Sequence, residues 1–124
     1  MAQWQIMGWV NVVLVVFMGA IYPLKQKMKT NKKLIPVYRV MRVVHPAVGA
    51  AMILIGLLHG SMVLGQLRLH SGSLVVLTLI VMALVAVAGN KLAAFRKIWR
   101  PIHRGLGMVL VVLLLAHLIF PWWL

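Results

Sequence analysis

The chain has 124 residues, 64% of them hydrophobic, with 13 Lys and Arg, no Asp, no Glu and no Cys. That length suits one domain, and a mean hydropathy of +1.03 is too high for a water-soluble fold of this size. Without cysteine the chain supplies no disulfide, thiolate site or iron–sulfur cluster, and without carboxylates it lacks the acid that a proton-coupled exporter uses inside a membrane.

Four apolar runs each come near the length that crosses a bilayer. The basic residues fall between these runs, which is the pattern of membrane topology and not of nucleic-acid binding. The first run is residues 4–24. No Lys or Arg precedes it, so it lacks the basic start of a cleaved signal peptide and is expected to be a retained helix with its N-terminus outside. Trp4, Trp9 and Tyr22 near its ends suit the membrane interface. Asn11, polar inside the run, is expected to make an interhelical hydrogen bond.

Residues 25–42 carry Lys25, Lys27, Lys29, Lys32, Lys33, Arg39 and Arg42, which marks this loop as cytoplasmic. Pro36 suits a first helical turn, so a helix can begin there and enter the membrane near Val43. The second span is residues 43–64, with His45 and His59. Pro46 pushes the residue before it away from helical angles, which predicts a kink or a fresh helix start at His45. Residues 65–71 form a short outer turn with Arg68 as its fixed charge, and His70 there is expected to be a solvated loop histidine.

The third span is residues 72–89, closed by Gly89-Asn90 as a helix stop. Lys91, Arg96, Lys97, Arg100 and Arg104 form a second basic segment, and residues 90–102 are expected to be cytoplasmic. The fourth span is residues 103–122, with Pro121, Trp122 and Trp123 at the outer interface. The fold class is therefore an all-α membrane protein, a bundle of four transmembrane helices with both termini on the outer side.

One pattern occurs twice. Arg42-x2-His45-x3-Gly49-x9-His59 returns as Arg100-x2-His103-x3-Gly107-x9-His117. On a helix, a His-x13-His pair lies within about 40° of one face and about 21 Å apart along the axis. The second and fourth spans run in the same direction, so His45 is level with His103 near the inner surface and His59 is level with His117 near the outer one. Ionisable residues inside a membrane are costly and read as functional. Zinc would want four donors at one point. Two imidazoles on opposite sides of a flat ring suit haem iron better. The metal ligands are then His45 and His103 for an inner haem and His59 and His117 for an outer one.

Gly49 and Gly107 leave room for a macrocycle, and Gly56 shares the histidine face; plain helix packing is the alternative for these glycines. Arg42 and Arg100 sit where inner propionates would emerge, with simple topology charge as the equal alternative. For an outer haem, Arg68 and His70 are weaker partners. The absence of Cys-x-x-Cys-His makes the expected haems b-type.

Two His-x13-His helices separated by one helix resemble the haem-binding pattern of membrane b-type cytochromes. The sequence looks like the four-helix di-haem core of cytochrome b, and is similar to the transmembrane domain of ferric reductases and NADPH oxidases. The resemblance rests on His45, His59, His103 and His117 and covers about residues 40–122. It implies bis-histidine b haems, one near each surface, that pass electrons across a bacterial-type inner membrane. No flavin or nicotinamide domain is expected after the fourth span, and the further helices of full cytochrome b are expected to be absent. Donor and acceptor are expected from partner subunits or a quinone pool, with quinone as a further cofactor; lipid is a partner, nucleic acid is not, and oligomerisation is compatible with the reading. The competing readings are a stand-alone quinol- or metal-reducing cytochrome and a haem-free assembly or channel protein.

Overall fold

The computed structural model describes residues 1–65 and 69–122. Arg68 and Trp123 lie outside the described residues. All regular structure among the described residues is helical. Four helical segments are long and apolar enough to cross a membrane, which makes the chain a multi-pass membrane bundle.

The first segment is made of α1 (Gln3–Gly19) and α2 (Ile21–Met28). The sequence reading had one run ending at Leu24. Instead α1 stops at Gly19, and the helix restarts after Ala20 with Pro23 in its first turn. Proline lacks the N–H that would bond the carbonyl four residues back, so the break falls where Pro23 would otherwise have to pair with Gly19. After α2 the chain turns through Asn31, whose side chain accepts a 3.1 Å hydrogen bond from the backbone N–H of Lys33.

Helix α3 (Ile35–Leu64) runs for 30 residues, with Pro36 in its first turn as expected. A fresh helix start at His45 does not occur: α3 passes through Pro46 unbroken. Pro46 leaves only the Arg42 carbonyl without its helical donor, and packing on either side outweighs that single loss. Gly65 ends the helix with φ of 62°, a left-handed turn that favours glycine, and donates to the Ser61 carbonyl at 2.9 Å.

Helices α4 (Ser71–Lys91) and α5 (Trp99–Ile119) complete the bundle. The predicted stop at Gly89-Asn90 is passed by α4, which ends at Lys91. Gly89 has a different job. The Trp99 ring, at the start of α5, occupies the space its side chain would fill, so α4 and the α5 entry meet in direct contact. Helix α5 begins four residues before the predicted fourth span, with Pro101 in its first turn, and ends before Pro121.

Helix α1 packs along α3 and α5 along α4; α3 joins the two hairpins through α4, while α1 barely touches α5. Val15, Met52, Leu79 and Leu110, one from each crossing helix, form the buried centre. The offset that relates His45 to His103 also relates Met52 to Leu110. A second common offset relates Gly8 to Gly72, Val15 to Leu79 and Met18 to Met82. The doubled motif is thus part of a doubled helical hairpin whose core positions repeat with it.

Outside this centre the apolar side chains face outward. Val13, Leu54, Leu84 and Val112 are between 62 and 65% exposed, a surface that suits hydrocarbon and not water. Asn11 makes the expected interhelical bond, donating from Nδ2 to the Met52 carbonyl at 3.3 Å. Gly56 is a contact point between helices: a Cβ built on it stands 2.8 Å from Cγ2 of Val76 in α4. Val76 is β-branched and stiff, so Gly56→Ala is expected to destabilise the bundle by about 1–3 kcal/mol. Denaturant unfolding of the detergent-solubilised protein measures this, and an unchanged midpoint would remove Gly56 from the packing account.

Candidate metal centre

The two pairs read from the sequence face each other between α3 and α5, which do not pack directly on one another. The ring centres of His45 and His103 are 6.1 Å apart, and those of His59 and His117 are 6.5 Å apart. A metal–imidazole bond is about 2.0 Å and the ligating nitrogen lies about 1.1 Å from its ring centre, so two imidazoles on opposite sides of one metal ion hold their centres about 6.2 Å apart. Both pairs match that separation. All four histidines are half-buried, which leaves an edge of each ring reachable.

Hydrogen bonds decide which ring nitrogen is available. His59 Nδ1 lies 2.7 Å from the Trp4 carbonyl, and His103 Nδ1 lies 3.1 Å from the Met82 carbonyl. A carbonyl only accepts, so in both rings Nδ1 carries the proton and donates. His117 Nδ1 lies 2.8 Å from Ser71 Oγ, whose own proton goes to the Pro121 carbonyl at 2.9 Å. With its one proton committed, the Ser71 hydroxyl accepts, and His117 Nδ1 must donate. In His59, His103 and His117 the lone pair therefore sits on Nε2, the arrangement that a metal ligand takes when its other nitrogen is anchored. His45 makes no hydrogen bond among the described residues and is located by its helix alone.

Room differs between the two depths. At the end of the bundle that holds His59 and His117, named outer after the expected topology, a cavity of about 600 Å³ opens between the helices, lined among others by Trp4, Gly8, His59, Gly72 and His117. That volume lies within the usual range of cofactor sites. Gly8 and Gly72, equivalent in the repeat, supply much of the space: a Cβ on Gly8 would stand 3.2 Å from His59 Cε1, and one on Gly72 3.1 Å from His117 Cε1. Asn11 lines the same cavity, and its buried Oδ1 has no hydrogen-bond partner among the described residues, an acceptor left for an occupant.

At the inner end Gly49 and Gly107 do make gaps, and a methionine methyl enters each: Met18 Cε stands 3.6 Å from a Cβ on Gly49, and Met82 Cε 3.7 Å from one on Gly107. Methionine is unbranched and yields its place readily, so these gaps can admit a flat ring edge. Gly56 also lines the outer cavity while packing on Val76.

The arginines stand one layer out. Arg100 lies over the Trp99 ring at 5.5 Å, and the Trp99 ring is 6.1 Å from that of His103. Arg42 is exposed on α3, and Arg104 lies over the Tyr22 ring at 6.0 Å. With no carboxylate side chain in the sequence, none of these cations has an acidic side chain of its own chain to pair with. Among the described residues no group of three or more His, Cys, Asp or Glu is gathered closely enough to hold a metal ion.

His70 departs from its expected place in solvent. It is half-buried, lines the outer cavity, and its ring centre is 6.3 Å from that of His117. Sequence reasoning also missed the anchors of His59, His103 and His117. The Trp4 and Met82 anchors are main-chain carbonyls, which no residue type announces. Ser71, which is 3% exposed, was visible only as part of the small polar run His70-Ser71-Gly72-Ser73.

Fold and site together define a four-helix, multi-pass membrane bundle with two facing histidine pairs stacked at two depths. Compared with protein-family models, with curated proteins and with solved structures, the chain finds no match in any of the three.

Proposed function

We propose that this chain carries electrons across a membrane as the cytochrome b subunit of a redox complex, through two b-type haems each held by two histidines. The observation that supports this most is the pairing of two imidazoles at bis-ligand spacing, twice, with the anchored rings offering Nε2. His45 and His103 hold the inner group, and His59 and His117 the outer one. Bound haem supplies reversible one-electron exchange at its iron.

The remaining work belongs to the protein. Trp4, Ser71 and Met82 hold three imidazoles in one tautomer, so ligation needs no proton rearrangement. The Val15, Met52, Leu79 and Leu110 centre lies between the two depths and keeps water out of the path. Arg42 and Arg100 provide positive charge beside the inner pair for propionates. The basic segments 25–42 and 90–102 face the cytoplasm of a bacterial-type inner membrane, which puts both termini outside. Donor and acceptor are a partner subunit or a quinone pool.

The test is a haem count on detergent-purified protein with reduced-minus-oxidised spectra. Two low-spin haems per chain are expected, with no carbon monoxide binding because both axial positions are filled. A colourless protein that also refuses added haemin would sink the reading and leave a basic helical bundle that assembles with other proteins.

A further inference from the structure

We propose that Arg104 and Tyr22 bind the phosphodiester of a net-anionic membrane lipid at the seam between α2 and α5. The doubled plan implies two equivalent seams, α3 against α4, and α5 against α1 with its continuation α2. The first is closed by helix packing, whereas α1 barely touches α5. At the second seam a cation lies over an aromatic ring: the Arg104 guanidinium stands 6.0 Å from the centre of the Tyr22 ring.

Neither residue belongs to the repeat. The offset that relates His45 to His103 puts Pro46 where α5 has Arg104. The offset that relates Gly8 to Gly72 puts Ala86 where α2 has Tyr22. The packed seam thus has apolar residues at both positions, and the open seam has a cation and a phenol. This pair is an addition to the doubled plan, confined to the side that the helices leave unclosed.

The Arg104 guanidinium is already positioned for an anion. Its face lies over Tyr22, and its Nε donates to the Arg100 carbonyl one turn back at 3.4 Å, a long bond. That leaves the N–H donors of both terminal nitrogens without an acceptor among the described residues. A planar fork of this kind matches two oxygens of a phosphate. The Tyr22 side chain is exposed, and Lys25, three residues further along α2, lies on the same face and adds a second positive charge. The chain has no Asp or Glu to neutralise the group, so its anion comes from outside.

The surface beside Arg104 selects a lipid over a soluble anion. Met108, Val111 and Leu115 follow it at helical spacing on one face of α5 and are 74, 46 and 53% exposed. A cation at the head of an exposed apolar stripe matches a phosphate headgroup above an acyl chain. Free phosphate would leave that stripe uncovered. An acidic soluble protein would meet the lysines of the loop and not a cation set inside the apolar run 103–122. Tyr22 suits the same depth, because amphipathic rings gather at the headgroup level. The bound lipid closes the open seam and ties α2 to α5.

The experiment strips lipid from the detergent-purified full chain and adds back phosphatidylglycerol, phosphatidylcholine or inorganic phosphate. Native mass spectrometry reads bound lipid, and thermal unfolding reads its effect. The expected result is one phosphatidylglycerol held per chain in preference to phosphatidylcholine, whose choline cation Arg104 and Lys25 repel, with a higher unfolding temperature as it binds. Arg104→Gln should weaken that binding by about tenfold or more, the loss of a hydrogen-bonded charge. Arg104→Lys keeps the charge without the fork and should fall between the two. Lys91→Gln removes an equal charge from α4, outside the seam, and should leave the affinity unchanged. Equal binding of the two lipids, or an Arg104→Gln chain that holds phosphatidylglycerol as tightly as wild type, overturns the proposal. Displacement of the lipid by inorganic phosphate or by polyglutamate at comparable charge concentration also overturns it, and assigns the cation to a free anion or to an acidic protein. None of these readouts needs haem, so their failure leaves the di-haem reading standing.

Discussion

His103→Ala is expected to leave a chain with one haem instead of two, and to abolish electron passage from one membrane face to the other. The inner pair has no reserve. His45 and His103 face each other at 6.1 Å, and His59, His70 and His117 are all grouped at the opposite end of the bundle. An orienting partner of a metal ligand is alone worth about 10–100-fold in affinity, and losing the ligand costs more than that. His103 also spans two helices, because its Nδ1 proton goes to the Met82 carbonyl of α4. His103→Asn preserves a donor toward that carbonyl without a ligand, so it separates lost ligation from lost packing. Haem stoichiometry and electron transfer in vesicles loaded with an internal acceptor read the outcome. Two haems in both variants would break the assignment of the pair. Arg100→Gln, by contrast, should keep both haems, because the Arg100 guanidinium stands over the Trp99 ring and supplies no ligand.

Gly89→Ala is expected to be the most damaging single methyl group in the bundle. Gly89 is buried near the end of α4, and a Cβ there would overlap the Trp99 ring. Alanine ordinarily stabilises a helix over glycine by about 0.5–1 kcal/mol. Here overpacking costs about 1–3 kcal/mol and outweighs that gain. The displaced Trp99 would also lose its place beside His103 and beneath Arg100, loosening the entry to α5. A double-mutant cycle makes the argument sharp. In a Trp99→Gly background, which removes the Trp99 Cβ as well as the ring from the space beside Gly89, the obstacle is gone, so Gly89→Ala should become neutral or stabilising. Thermal unfolding in detergent gives the four stabilities. Additive effects would show that Trp99 and Gly89 do not interact in the folded protein.

The fold was largely legible because its signals are one-dimensional. Apolar runs of bilayer length are set by the thickness of hydrocarbon, and the cations between them by membrane topology. The errors came where tertiary contact competes with a local rule. Pro46 reads as a kink or a fresh helix start at His45, yet α3 passes through it without a fresh start. Gly89-Asn90 reads as a stop, yet Gly89 is there to admit the Trp99 ring. Pro23 does break its run, a point that the hydrophobic pattern of residues 4–24 hides.

By itself the sequence determined the class of the protein and the four paired histidines, since helical periodicity converts a His-x13-His spacing into one face and two depths. Only the tertiary structure decided which nitrogen each anchored ring presents, because the Trp4 and Met82 carbonyls and the Ser71 hydroxyl reach those rings across helices, from positions with no fixed spacing to them. It also decided that the His70 ring lies beside that of His117. A histidine at a loop end has no periodicity to place it, and its direction follows from how α4 packs on α5 and from the missing side chain of Gly72.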